Sequence, residues 1–226
     1  MDFENKRKKL IENLINRGIL NKQEVIDAML KVPRHLFLPE KVVSSAYMDS
    51  PISIGLNQTI SAPHMNAMMC EYLDLEEGEK VLEIGTGSGY HAALCAELVA
   101  PENSKNPGHV YTIERHQELA ERARISLKEL GYESRVTVIY GDGTLGYPEE
   151  SPYDKILVTA ASPEKVPEPF KTQLKDGGLL CIPAGSQAYG QVLYIVSKKG
   201  NRFDIERKCG VRFVPLIGEH GFKAEN

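Results

Sequence analysis

The sequence predicts an α/β fold: a mostly parallel sheet of seven strands between layers of helix, in the order 3-2-1-4-5-6-7. Three observations predict it. Lys80-Val-Leu-Glu-Ile-Gly-Thr-Gly-Ser-Gly-Tyr90 passes from a short apolar run through alternating glycines into a helix rich in Ala and Leu. At such a strand–turn–helix corner an open α/β sheet lets backbone approach a bound nucleotide. Two further strands end in residues suited to the same ligand, at Glu114 and at Gly141-Asp-Gly143. The last strand-like runs are separated by gaps too short for a crossover helix, so they run antiparallel.

Composition sets the bounds. With 226 residues, 42% hydrophobic and 26% charged, the chain reads as one domain able to bury a core without disulfides or metal. Residues 1–75 are expected to form a helical and irregular extension, 76–214 the sheet core and 215–226 a tail. A net charge of -4 and a pI near 5.9 argue against a broad nucleic-acid-binding face. The four cysteines, Cys70, Cys95, Cys181 and Cys209, form no C-x-x-C pair. Three lie in apolar runs or helix faces, where cysteine acts as a small hydrophobe, and no metal site is expected. The charged run Glu4 to Lys9 has no apolar stretch behind it, and nothing reaches the length of a membrane span. The expectation is a cytoplasmic monomer with no nucleic-acid or membrane partner.

Leu10, Ile11, Leu14 and Ile15 recur at helical spacing, with Gly18 placed to end the helix. Asn21 and Glu24 resemble a capping box, and Val25, Ile26, Met29 and Leu30 supply the next apolar stripe. Pro33, Pro39 and Pro51 break regular structure, so Lys31 to Leu56 should be largely irregular. A helix follows from about Pro63 to Leu73, where proline suits the first turn. Ser61 is then either its cap or a hydroxyl beside a helix start whose free N–H groups suit a carboxylate. His64 is either a first-turn surface residue or part of the same site. In the core, strands are expected at Val81–Ile84, His109–Ile113, Val136–Tyr140, Lys155–Thr159, Leu179–Pro183, Gln191–Lys198 and Phe203–Phe213. Helices are expected at Tyr90–Val99, Gln117–Leu130 and Pro167–Leu174, with tight turns at Gly177-Gly178 and Lys199-Gly-Asn201.

The glycine spacing selects the ligand. A dinucleotide fingerprint, G-x-G-x-x-G, needs glycine where Tyr90 stands. The chain has G-x-G-x-G, with Glu83 inside the strand before it, which resembles motif I of the S-adenosylmethionine-dependent methyltransferases with a Rossmann-like sheet. Glu83, Gly85, Thr86, Gly87, Ser88 and Gly89 are therefore candidate cofactor residues. Glu114, with Arg115 beside it, ends the second strand where an acid can accept from both ribose hydroxyls. Asp142 is placed to accept from the adenine amino group, and Gly143 lets backbone approach the ring. The Asn/Asp-Pro-Pro-aromatic run of amino-methylating enzymes is absent at Thr159-Ala-Ala-Ser-Pro163, and no cysteine has the setting of a pyrimidine-attacking nucleophile.

From about Asn21 to Phe222 the chain resembles the protein-L-isoaspartate (D-aspartate) O-methyltransferase family. The resemblance runs through Val32-Pro-Arg-His35, Tyr47-Met-Asp-Ser-Pro51, Gln58-Thr-Ile-Ser-Ala-Pro-His-Met65, the glycine motif, Gly141-Asp-Gly143, Pro152-Tyr-Asp154 and Arg212-Phe-Val-Pro-Leu216. Some members carry a second histidine where Asn66 stands. The resemblance implies methyl transfer from S-adenosyl-L-methionine, leaving S-adenosyl-L-homocysteine. The acceptor is the free α-carboxylate of L-isoaspartyl residues, or more weakly the β-carboxylate of D-aspartyl residues, in damaged proteins. It further implies that Ser61 orients the carboxylate, that Thr59 and Ile60 touch the cofactor, that His64 lies on the substrate side and that Val214 pairs its backbone with an extended peptide. A carboxylic acid with a pKa near 4 is already ionised at neutral pH, so no general base is required. A nicotinamide-dependent oxidoreductase and a catalytically idle binding module remain as the other readings.

Overall fold

Ten consecutive buried side chains, Tyr90 to Val99, make the helix after the glycine turn the centre of the molecule. A helix buried on every face has to be covered on every face. The computed structural model, which describes residues 2–186 and 188–223, shows what covers it. The chain opens with α1 (Phe3–Asn16) and α2 (Gln23–Lys31), then two short 3-10 turns, Arg34–Phe37 and Glu40–Ser45. The hairpin β1 (Ile52–Gly55) and β2 (Gln58–Ile60) leads into α3 (Pro63–Leu73). The core follows as β3 (Lys80–Ile84), α4 (Tyr90–Val99), β4 (His109–Glu114), α5 (Gln117–Glu129), β5 (Val136–Tyr140) and β6 (Tyr153–Val158). It ends with α6 (Glu168–Gln173), β7 (Leu174–Ser186), β8 (Gly190–Lys199) and β9 (Arg202–Val211). Both α2 and α3 pack on α4.

The main sheet runs β5-β4-β3-β6-β7-β8-β9, which is the expected order 3-2-1-4-5-6-7 when its strands are counted along the chain. Pairing is parallel from β5 to β7 and antiparallel for β7–β8 and β8–β9. Because strand side chains alternate, Val81 joins the core on the α4 side and Leu82 and Ile84 join the opposite one with Phe170. Glu83 shares the Val81 face and is completely buried.

Three local expectations need correction. The stretch before α3 is more regular than its prolines suggest, because Ile52 and Ile60 pair across a hairpin. Its turn residues, Leu56 and Asn57, both have positive φ, a backbone form usually signalled by Asn-Gly rather than Leu-Asn. The Asn21/Glu24 capping box does not form: Lys22 is the N-cap without a side-chain bond. Glu71 of α3 serves instead, its Oε1 accepting from the N–H groups of Asn21 (2.8 Å) and Lys22 (2.7 Å). Finally, β7 begins at Leu174 and runs through Gly177-Gly178 with a register shift against β6. The bulge replaces a separate turn. Of the expected tail 215–226, residues 224–226 lie outside the described residues.

Candidate active site

A cleft opens at the carboxyl ends of β3 and β4 and beside β5 and β6. It is bordered by Thr59, Gly85, Gly87, Glu114, Gly143 and Val214, with Arg115 and Thr159. Two glycines shape it. Gly85 (φ +98) leaves no space for a Cβ against Thr159 Oγ1, which donates to the Gly85 carbonyl at 2.7 Å. At Gly143 a Cβ would meet Ile84 Cγ2 at 2.7 Å. The floor is therefore bare backbone, as close approach of a flat ring requires. The enclosed part is narrow, about 60 Å³. It shares Gln58, Arg115 and Val214 with a wider cavity of about 620 Å³.

Glu114 is buried at the cleft wall. Its Oε2 accepts from the Gly87 N–H and its Oε1 from the His116 N–H, both at 2.9 Å. The carboxylate is thus held in place, with lone pairs left for further donors. Glu83, Thr86, Ser88, Gly89 and Ile60 do not line the cleft. Glu83 lies beneath the glycine loop, where Thr112 Oγ1 donates to its Oε2 and Thr86 Oγ1 bonds to Thr112 Oγ1 at 2.7 Å. Gly89 is the N-cap of α4, Ile60 is buried in the core, and Ser88 borders a separate groove with Phe37 and Arg122.

Asp142, expected to meet an adenine amino group, is bonded within the protein. Its Oδ1 accepts from the Thr144 N–H (2.8 Å) and hydroxyl (2.7 Å), and its Oδ2 from the Glu219 N–H (2.8 Å). Partial burial pushes this carboxyl up, but the bonds from Thr144 and Glu219 outweigh it and hold the pKa below the ordinary range. Asp142 ties the tail to the turn after β5, and only Gly143 of that motif borders the cleft.

On the other side of Thr59, Ser61 is not the helix cap. Ala62 occupies that position and makes no side-chain bond. Asp49 does the capping from a distance, its Oδ1 accepting from the His64 N–H at 2.9 Å. The same oxygen holds His64 Nδ1 at 2.7 Å, while Oδ2 accepts from Arg17 at 2.7 Å. The helix start therefore offers fewer free amides than expected, because Pro63 has none and that of His64 is engaged. Ser61 itself is anchored through its carbonyl, which accepts from Arg34 Nη2 at 2.7 Å. Arg34 is 1% exposed. It also donates to the Ala46 carbonyl (2.9 Å) and to Asn66 Oδ1 (3.2 Å), and it lies over the Tyr90 ring at 4.9 Å. Burial draws its pKa down to about 10, so it stays a cation at neutral pH. Asn66 is thus a buried partner of Arg34 rather than a surface contact.

Val214 borders both cavities. Its carbonyl is already taken by the Ala161 N–H at 2.8 Å, and Leu216 N–H returns to the Ala161 carbonyl at 2.8 Å. Among the described residues no hydrogen bond engages the Val214 N–H. Sequence reasoning missed Arg34, Asp49, Thr159 and Ala161. The first two stand in runs that mark the family resemblance, Val-Pro-Arg and Tyr-Met-Asp-Ser-Pro, and that was their only signal.

Asp49 gives a pH prediction. Partial burial raises its pKa, but the His64 N–H, Arg17 and the His64 ring together hold it below its ordinary value. A lowered carboxyl stabilises the fold above its unfolded pKa and loses that contribution as pH falls through the folded one. Asp49→Ala should cost about 0.5–2 kcal/mol at neutral pH, as loss of a cap does. The gap to the unsubstituted protein should close below about pH 4. Paired thermal melts across that range check it, and a gap constant down to low pH would contradict it.

The protein-L-isoaspartate(D-aspartate) O-methyltransferase (PCMT) family model matches residues 5–221. A protein-L-isoaspartate O-methyltransferase of Ignicoccus hospitalis is 55% identical over 217 residues, covering 96% of this chain and 100% of that one. One from Hyperthermus butylicus is 52% identical over 224 residues, covering 98% of this chain and 92% of its own. Among solved structures, a protein-L-isoaspartate O-methyltransferase from Plasmodium falciparum, in complex with S-adenosyl-L-homocysteine, superposes with a TM-score of 0.83. It is 32% identical and covers 93% of this chain and 98% of that one.

Proposed function

The chain belongs to the protein-L-isoaspartate (D-aspartate) O-methyltransferase family, and from that premise we infer that it methylates the free α-carboxylate of L-isoaspartyl residues in damaged proteins, and more weakly the β-carboxylate of D-aspartyl residues. The observation that carries this is the release of Ser61 from capping: Asp49 caps α3, Arg34 fixes the Ser61 carbonyl, and the hydroxyl is left two residues beyond Thr59 of the cleft.

The cleft suits S-adenosyl-L-methionine, with bare backbone at Gly85 and Gly143 for a ring and the Glu114 carboxylate for hydroxyl groups. When bound, that cofactor supplies an electrophilic sulfonium methyl. Ser61 donates to one oxygen of the substrate carboxylate and sets its direction. The carboxylate arrives ionised, so no residue has to remove a proton. Enclosure by the segment 214–217 excludes water while charge is neutralised, which favours a dry site. The Val214 N–H pairs with the backbone of the substrate, and His64, tethered through Nδ1, keeps Nε2 for the substrate side. We also place the protein as a monomer in the cytoplasm, with no nucleic-acid or membrane partner. The net charge of -4 supports this, and no helix among the described residues is long and apolar enough to cross a membrane.

Transfer of a tritiated methyl group to an isoaspartyl peptide and to its L-aspartyl twin tests the reading. Strong incorporation into the first and almost none into the second is expected, since the acceptor differs by one methylene along the backbone. Equal incorporation would make the enzyme a general carboxyl methyltransferase, and none into either would leave a binding module. For the cofactor, Glu114→Ala should weaken S-adenosyl-L-homocysteine binding by about 1–3 kcal/mol, the cost of a lost hydrogen bond to a charged acceptor. Unchanged affinity by calorimetry would remove Glu114 from the ribose position.

A further inference from the structure

We propose that Cys70, His91 and Cys95 form a binding site for one thiophilic metal ion, with zinc as its occupant, clamped between α3 and α4. His91 and Cys95 stand four residues apart on α4, one turn of the helix, and so share a face. Cys70 approaches that face from α3. The three donor atoms all lie within 4.8 Å of one another, and Cys70 Sγ is 3.5 Å from His91 Nε2. A zinc ion about 2.3 Å from sulfur and about 2.1 Å from nitrogen, in tetrahedral geometry, sets those donors about 3.6 Å apart. Two thiolates and a neutral imidazole balance the charge of a divalent ion, and water completes the tetrahedron.

Buried polar atoms nearby point the same way. His91 Nδ1 and Glu83 Oε1 are buried with no hydrogen-bond partner among the described residues. A histidine that ligates through Nε2 commonly gives its other N–H to a carboxylate behind it. Glu83 is a carboxylate on the α4 face of β3, with its Oε1 unpaired among the described residues. The ion also has an access route. Cys70 borders a cavity of about 910 Å³ between α2, α3 and the end of α4. There Glu24, Asp27, Glu76 and Glu77 give a negative field that concentrates cations.

The consequence is structural. α3 begins just after Ser61, and α4 begins at the end of the glycine loop, so a metal clamp between them fixes the substrate serine relative to the cofactor cleft. The test uses the full chain, purified without chelator from zinc-replete cells. Elemental analysis should find about one zinc per chain. Removing it should lower the melting temperature, and adding zinc chloride alone should restore it. Cobalt substitution should give the near-ultraviolet absorption of thiolate ligation, lost in Cys95→Ala and His91→Ala. If those variants fail to fold, the zinc content and zinc-dependent melting of the unsubstituted protein still decide, and thiol counting checks that the cysteines are reduced. Denatured without reductant but with chelator, the chain should expose all four thiols. Two thiols would mean a Cys70–Cys95 disulfide and overturn the proposal. So would a chain that takes up no zinc and melts at the same temperature with and without it.

Discussion

Ser61→Ala is expected to leave stability nearly untouched and to remove most of the activity. A capping serine would cost about 0.5–2 kcal/mol on truncation. Here Ala62 is the N-cap, Asp49 supplies the capping carboxylate, and the bond from Arg34 goes to the Ser61 carbonyl, which alanine keeps. The loss therefore falls on the transition state. Without the hydroxyl, the carboxylate still binds but samples directions that do not face the methyl group, and alignment is worth several kcal/mol in such transfers. Removing one oriented donor costs roughly 10²–10³ in turnover. Initial rates on an isoaspartyl peptide should show that drop in kcat/KM, with S-adenosyl-L-homocysteine affinity unchanged in calorimetry. Turnover within about twofold of the unsubstituted enzyme, at a temperature where both are folded, would return Ser61 to a structural role.

The contrast between Ser61 and its supports shows what a sequence can disclose. The sheet order was legible because apolar runs, glycine turns and gap lengths are local signals. Glu114 and Gly143 could be placed because they end strands whose position in the sheet was already known. Glu83 and Asp142 were assigned to the cofactor by the same logic, and both carboxylates also accept bonds from neighbours that lie far off or out of sight in the sequence. Glu83 faces α4 because strand side chains alternate, and Asp142 is claimed by Thr144 and by Glu219 of the tail. Arg34 bonds to residues 12, 27 and 32 positions away, and no local periodicity encodes such contacts. His91 and Cys95 stand one helical turn apart, but the cysteines read as small hydrophobes, and Cys70 joins the pair only through the packing of α3 on α4. A helix buried all round carries no apolar stripe to say which side it turns toward its partner.

Arg34→Met is expected to be the most destabilising of these substitutions, by about 3 kcal/mol. It leaves three acceptors unpartnered around a buried site: the Ala46 carbonyl, the Ser61 carbonyl and Asn66 Oδ1. Each orphaned group costs about 1–3 kcal/mol, while removing a buried cation returns part of that by ending its desolvation. Methionine fills much of the volume, so a cavity adds little. Lysine should rescue only in part, since a point ammonium cannot serve three acceptors in a planar fork or stack over Tyr90. Arg34 also positions Ser61, so the folded fraction of Arg34→Met should show a reduced kcat, with the KM for S-adenosyl-L-methionine nearly unchanged. Removing Asn66 as well, in Arg34→Met/Asn66→Leu, should cost less than the sum of the single losses, because one orphan disappears. Chemical denaturation of the four proteins measures the cycle. A single-variant loss below about 1 kcal/mol would mean that water or neighbouring backbone satisfies the three acceptors, and that Ser61 keeps its place without Arg34.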